Sequence, residues 1–280
     1  PAGPKRRRGR PHALFNLTKT RRQAVPAIRM LVRPPERPLV RPPERPIPAI
    51  RTSAVRRRRR ESTRPRTLVG MSKASEEAQK QLDRIVALGY PDVADMSAAA
   101  FRALARPLIR ALEDCGDDAG LDTRILLVPT RELVSPESLI ARTSINRMAG
   151  FTTMPPRDIA SFLPQDGFEP PEGPFYLVVE PHTGTCYINR EPDVARKLID
   201  SDERLPLTLE EGLAIATQHP EWLLEKNGFN LLGSRSADGR VPSIWMSQNA
   251  PRLGAVWPNS RHTWLGNAYC MARRGVSLFR

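Results

Sequence analysis

Apolar residues recur at helical spacing over residues 75–88, where Ala78, Leu82, Ile85 and Val86 share one face and Gly89 with Pro91 supplies a stop. This stretch predicts an amphipathic helix. Residues 97–113 repeat the pattern, with Phe101, Leu104, Leu108 and Leu112 on one face and Pro107 removing one backbone donor and bending the helix. The opposite face carries Arg102, Arg106 and Arg110, which reads as a solvated face because Glu113 and Asp114 follow at once. The apolar run 124–128, ended by Pro129, predicts a short buried strand. Ser135, Pro136 and Glu137 have the residue types of an N-cap, a first helical position and a first-turn acid, so a helix is expected over 136–146, and a shorter one over 156–163.

Further on, FYLVVE (175–180) and TCYIN (185–189) flank a four-residue loop ending in Gly184, which predicts an antiparallel hairpin. In its second strand Cys186 and Ile188 would face one way and Thr185, Tyr187 and Asn189 the other. Residues 192–201 read as a helix. Thr208 followed by Glu211 is a capping box, opening a helix that runs to His219 and stops at Pro220. Residues 229–234, 241–247, 253–257 and 264–271 then return to strand patterns, the first two joined through Asp238 and Gly239. The expected fold class is α+β, with helices packed on a mainly antiparallel sheet rather than βαβ repetition, forming one domain over 71–280.

Charge changes the picture of the first quarter of the chain. The 280 residues carry a net charge of +14, but residues 1–70 hold 21 of the 44 Lys and Arg and only three of the 30 acids, a net of +18. The remaining 210 residues are therefore at −4. Residues 1–70 also hold 12 of the 29 prolines and a tandem LVRPPERP over 31–46, a composition that cannot bury enough apolar surface to offset chain entropy. Disorder is the expectation there. Three readings compete for the segment. One is a basic tail that binds nucleic acid or an acidic partner through Arg6, Arg7, Arg8, Arg56, Arg57, Arg58, Arg59 and Arg60. Another is a targeting peptide, which twelve prolines disfavour. The third is upstream sequence preceding a natural start near Met71.

Candidate chemistry is sparse. No run of about 18 apolar residues exists, so no membrane-spanning helix is expected. Cys115, Cys186 and Cys270 form no CxxC pair, which argues against a structural metal site and for reduced thiols in a cytoplasmic setting; no cofactor is indicated. After Met71 the histidines are His182, His219 and His262, with no HExxH motif and no pair at ligand spacing. All four tryptophans (Trp222, Trp245, Trp257, Trp264) fall between 222 and 264, a pattern that fits either a sheet core or a binding wall. Arg235, His262 and Asn267 lie in polar segments beside them and could together hold an anionic group. The candidate ligand residues are therefore Arg235, Trp245, Trp257, His262, Trp264 and Asn267.

The segments RLPLTLEEG (204–212), LGSR (232–235), VPSIW (241–245), LGAVW (253–257) and HTWLG (262–266) occur in an order and spacing that resemble a family of unknown function common in actinobacteria, domain of unknown function 5701. The resemblance covers about residues 74–273 and implies a cytoplasmic bacterial protein with no assigned activity and no catalytic residues to carry over. Residues 1–70 have no counterpart in it. The leading functional expectation is a non-enzymatic binding or scaffold domain with a tryptophan-rich C-terminal cleft, taking a protein partner or a small anionic ligand. The alternatives are an enzyme using His262 as acid or base with Arg235 as anion clamp, and nucleic-acid binding by the basic tail.

Overall fold

The computed structural model describes residues 72–116, 121, 123–223 and 227–279, and the readings made for residues 1–70 lie outside them. Helix α1 (Lys73–Ala87) starts at Ser72, whose hydroxyl accepts the Ser75 amide, and buries Ala74, Ala78, Leu82 and Ile85. A single turn, α2 (Tyr90–Val93), leads to α3 (Ala98–Cys115), capped by Ser97. The buried face of α3 is Phe101, Ala105, Leu108, Ile109 and Leu112. Leu104, expected on that face, is 36% exposed. Pro107 is exposed too, so its missing donor lies on the solvent side.

Strand β1 (Ile125–Pro129) follows as expected, but residues 136–146 are not a helix. They make two 3-10 turns, Pro136–Ser138 and Ile140–Arg142, and then the small hairpin β2 (Ser144–Ile145) and β3 (Met148–Ala149). Thr143 ends the second turn by donating its hydroxyl to the Ile140 carbonyl at 2.7 Å, and Asn146 and Arg147, both at positive φ, reverse the chain. Next come β4 (Phe151–Thr152), α4 (Pro156–Ala160) and β5 (Leu163–Pro164).

Strand β6 (Phe175–Val179) forms, but its expected hairpin partner does not. Residues Thr185–Tyr187 are a 3-10 turn with Tyr187 buried and Cys186 exposed. The reason is topological: β6 is already paired on one side by β1 and on the other by a C-terminal strand, so no edge remains for residues 185–189. The chain continues through α5 (Pro192–Ser201), β7 (Leu205–Pro206) and α6 (Leu209–Gln218), where the Thr208 capping box is formed. Then come β8 (Gly228–Asn230), β9 (Ser234–Arg235), β10 (Val241–Ser247) and β11 (Ala250–Val256).

The single strand expected over 264–271 is broken into β12 (Leu265–Asn267) and β13 (Tyr269–Cys270), followed by β14 (Ala272–Arg274). Each belongs to a different sheet, because this segment crosses from one layer to the next.

The fold is α+β. An antiparallel three-stranded sheet runs β1-β6-β14, and a mixed five-stranded sheet runs β12-β8-β10-β11-β4, with β11–β4 and β12–β8 parallel. Helices α1 and α3 cover the first sheet, whose β1 edge is closed by Gln81. That side chain donates to the Ile125 carbonyl at 2.8 Å and accepts the Leu127 amide at 2.7 Å, standing in for a missing strand. Helix α6 touches both β1 and β10, and all ten of its residues are buried. On this fully enclosed helix Gly212 leaves the space that the Leu231 side chain fills: a Cβ there would lie 2.3 Å from Leu231 Cδ1. Among the described residues no helix is long and apolar enough to cross a membrane.

Two carboxylates sit in the first turn of this buried helix. Glu211 pairs with Arg273 of β14, accepts the Thr208 amide at 2.7 Å and accepts the Tyr176 hydroxyl at 3.2 Å. Arg273 also donates to the Pro206 carbonyl at 2.8 Å. Glu210 is held by Arg131 at 2.7 Å, and Arg131 reaches on to the Phe162 carbonyl. Burial pushes the Glu210 carboxyl up, partly offset by Arg131, and burial with the nearby Glu211 pushes the Cys270 thiol up to about 12. Replacing Arg273 by Met is expected to destabilise the fold by about 3–5 kcal/mol, the cost of a buried, unpaired carboxylate. Urea unfolding followed by circular dichroism measures it, and Arg273→Met combined with Glu211→Leu should recover part of the loss; an unchanged midpoint in the single variant would refute the assignment.

Candidate functional site

A cleft of about 660 Å³ opens where five parts of the chain meet. The start of β1 supplies Thr123, Arg124 and Ile125, and the loop after β6 supplies Pro181, His182 and Thr183. The end of α6 and the turn after it supply His219, Glu221 and Trp222, with Asn227 and Glu77 completing the wall. The volume falls in the range that holds a small organic molecule.

Each key ring is held by named neighbours. Pro220 ends α6 and starts a 3-10 turn (Pro220–Trp222), which lays the Trp222 indole against the His219 imidazole with centroids 4.3 Å apart and planes at 12°. His219 Nδ1 lies 3.2 Å from Glu221, and the Trp222 carbonyl accepts from Asn227. His182 is held by a two-way backbone bridge to Tyr269 (2.8 and 3.0 Å) and stacks on its ring at 5.0 Å. Although the His182 side chain is exposed, desolvation against Tyr269 lowers its pKa, reinforced by Arg204 and Arg124 and opposed by Glu180. The shift favours the neutral ring, which has one donor and one acceptor nitrogen. Gly184 ends the His182 loop at φ 71°, where a Cβ would collide with the Asn267 backbone, so the loop lies directly on β12.

The sequence contained both histidines but no spacing that joined them; 37 residues separate them, and the cleft exists only because α6 and β6 end on the same side of β1. The local signal that was available is His219-Pro220-Glu221-Trp222, in which a proline-initiated turn after a helix puts positions 219 and 222 in contact.

The expected C-terminal ligand residues are only partly brought together. Trp245 and Trp264 meet edge to face at 5.8 Å and His262 lies 5.4 Å from Trp264, on the face of the five-stranded sheet turned away from α6. Trp257 is 53% exposed. Arg235 is engaged elsewhere, bonded to Asp193 at 2.9 Å and to the Gly239 carbonyl, and lines a separate depression with Gln165, Asp166 and Arg196. Asn267 is buried: its amide donates to the Tyr187 carbonyl and its oxygen accepts from Asn230, which in turn accepts the Ser243 hydroxyl. It ties β8, β10, β12 and the 185–187 turn together rather than facing a ligand. On α3, Arg102 pairs with Asp83, while Arg106 and Arg110 border a shallow depression beside Pro107. Among the described residues no three His, Cys, Asp or Glu side chains converge to bind a metal.

In proton NMR the His182 ring is expected to titrate with a midpoint below about 6.5. A folded-state pKa below the unfolded value means that this contribution to stability is present in full above that pH and is lost as the pH falls from the unfolded value towards the folded one. A midpoint at or above 6.5 would show that the ring is solvated on both faces.

Residues 84–276 match the family model described as a family of unknown function (DUF5701). No curated protein and no solved structure matches the chain.

Proposed function

Because the chain belongs to this family of unknown function, its role has to be read from its own site, and we propose that it is a non-enzymatic binding domain that holds a small planar ligand in the His182–His219–Trp222 cleft. One observation carries the reading: His182 of the loop after β6, stacked on Tyr269, and the stacked His219–Trp222 pair of the turn after α6 line one cavity. The carboxylates of Glu77 and Glu221 and the amide of Asn227, with the lining Arg124 paired to Glu180, favour an uncharged or cationic ligand that donates hydrogen bonds. Cys115, Cys186 and Cys270 form no disulfide, which supports a reducing, cytoplasmic setting.

The enzymatic alternative, with His262 as acid or base and Arg235 as anion clamp, has less support, since Arg235 already bonds Asp193 and Gly239. Scaffolding through the tryptophan-bearing sheet face remains compatible with a ligand in the cleft.

Small heteroaromatic fragments (imidazoles, aminopyrimidines, purine bases) screened by NMR against the full chain are expected to shift the His182 and His219 ring signals and the Trp222 indole N–H. His219→Ala and Trp222→Leu should each weaken such hits about tenfold, equivalent to about 1.4 kcal/mol. Hits that move only Trp245 or Trp264 would relocate the ligand site, and chemical turnover of a hit would favour an enzyme.

A further inference from the structure

The five-stranded sheet has two unlike faces. Ile244, Leu253 and Phe229 point into the core beside α6, while the register sets Phe151 of β4, Arg252 of β11 and Trp245 of β10 side by side on the other face. Farther along that face, Tyr187 and residues of α5 cover Val241 and Leu232, but Phe151, Arg252 and Trp245 are left half-exposed. The Arg252 guanidinium lies 5.6 Å from the Phe151 ring centre and 5.4 Å from that of Trp245. The Trp245 indole lies across Gly254, where a Cβ would come within 2.2 Å of the ring, and it contacts Trp264, which contacts His262. The result is a continuous row: ring, guanidinium, ring, ring, imidazole. Two of its polar atoms, Arg252 Nε and His262 Nε2, are shielded and have no hydrogen-bond partner among the described residues.

Charge singles out the same region. Residues 239–280 contain six arginines and no Asp or Glu, and residues 138–157, which include the β2–β3 hairpin and β4 packed beside β11, contain three arginines and no acid. Some of these arginines are neutralised from elsewhere: Arg240 by Asp158 and Asp238, Arg261 by Glu191, Arg273 by Glu211. Arg252 has a hydrogen bond to Thr153 as its polar contact, and Arg147 is exposed at the hairpin turn. The strands that bear this face, β10, β11, β4 and the β2–β3 hairpin, carry no acid of their own, and Arg252 has no ion-pair partner among the described residues, an arrangement complementary to an anion.

We infer that this face docks single-stranded nucleic acid. A row of rings interleaved with a guanidinium offers stacking surfaces for unpaired bases and a donor for the phosphodiester, the combination that single-strand binders use. A duplex keeps its bases stacked inward and would leave the rings without partners. An acidic peptide would satisfy the charge but not the rings.

The test uses the full chain with oligo-dT and oligo-U 12-mers at several salt concentrations, read by tryptophan fluorescence and by anisotropy. Binding is expected to quench tryptophan emission, and Arg252→Gln and Trp264→Ala are each expected to weaken it about tenfold or more, consistent with about 1–3 kcal/mol per stacked base. Trp264→Phe, which keeps a ring, should retain most of the affinity, and matching urea midpoints establish that the variants fold. The proposal is overturned if no oligonucleotide binds, or if a duplex of equal length binds as well. It is also overturned if poly-glutamate competes equally and quenches alike, which would point to an acidic protein partner. Binding indifferent to both substitutions would assign it instead to the arginine runs before Met71.

Discussion

The ion pair between Glu211 and Arg273 is the constraint on which the rest of the structure depends. It lies at the N-terminus of a helix enclosed on every side, where an unpaired charge would cost several kcal/mol. The carboxylate is satisfied four ways at once: by the guanidinium, by the amide of its own N-cap residue, by the Tyr176 hydroxyl of β6, and by the positive end of the helix. Arg273 in turn belongs to β14 and reaches the Pro206 carbonyl. A single buried pair therefore joins the central helix to the three-stranded sheet and to the chain entering α6.

From that anchor the two candidate regions follow. Helix α6 runs from the charge cluster to the opposite side of β1, and its C-terminus delivers His219 and Trp222 to the cleft. Gln218 reinforces the delivery, donating to the Gln81 carbonyl of α1 while its own carbonyl accepts from Arg84. The flank of α6 supports the inner face of β10, which frees the outer face to carry Trp245. The β8–β10–β12 strands stay in register because Asn230, Ser243 and Asn267 bond one another beneath the 185–187 turn, and that turn is part of the loop that holds His182. The cleft and the sheet face are separate sites that share one polar layer.

Local signals in the chain were reliable where an element's own residues decide its form. The Thr208 capping box, the apolar faces of α1 and most of α3, and the extent of α5 were legible because capping and amphipathicity act within a few residues. They failed where a partner decides. Residues 185–189 have strand composition, yet β6 had no free edge to offer them; residues 136–146 carry helix-starting residues, yet Thr143 and the turn at Asn146 and Arg147 pull the chain into a hairpin against β11. Leu104 matched the helical period of α3 but points outward, because α1 and β6 meet the face centred on Phe101 and Ala105 instead.

For the candidate sites the division is similar. The α+β class, the family, the helix opened by the Thr208 capping box and the concentration of tryptophans after residue 221 are written in the chain's composition, period, short-range spacing and motifs, whereas the burial of that helix is not. Only the tertiary structure decided that His182 and His219 share a cleft, that Asn267 is internal, that Arg235 is committed to Asp193, and that Arg252 stands between Phe151 and Trp245. Those outcomes depend on strand order and on parallel pairings between segments about a hundred residues apart for β4 and β11, which no local pattern encodes. The physical reason is that a side chain's chemistry is fixed by its type, whereas its partners are fixed by which sheet edge its strand finds free.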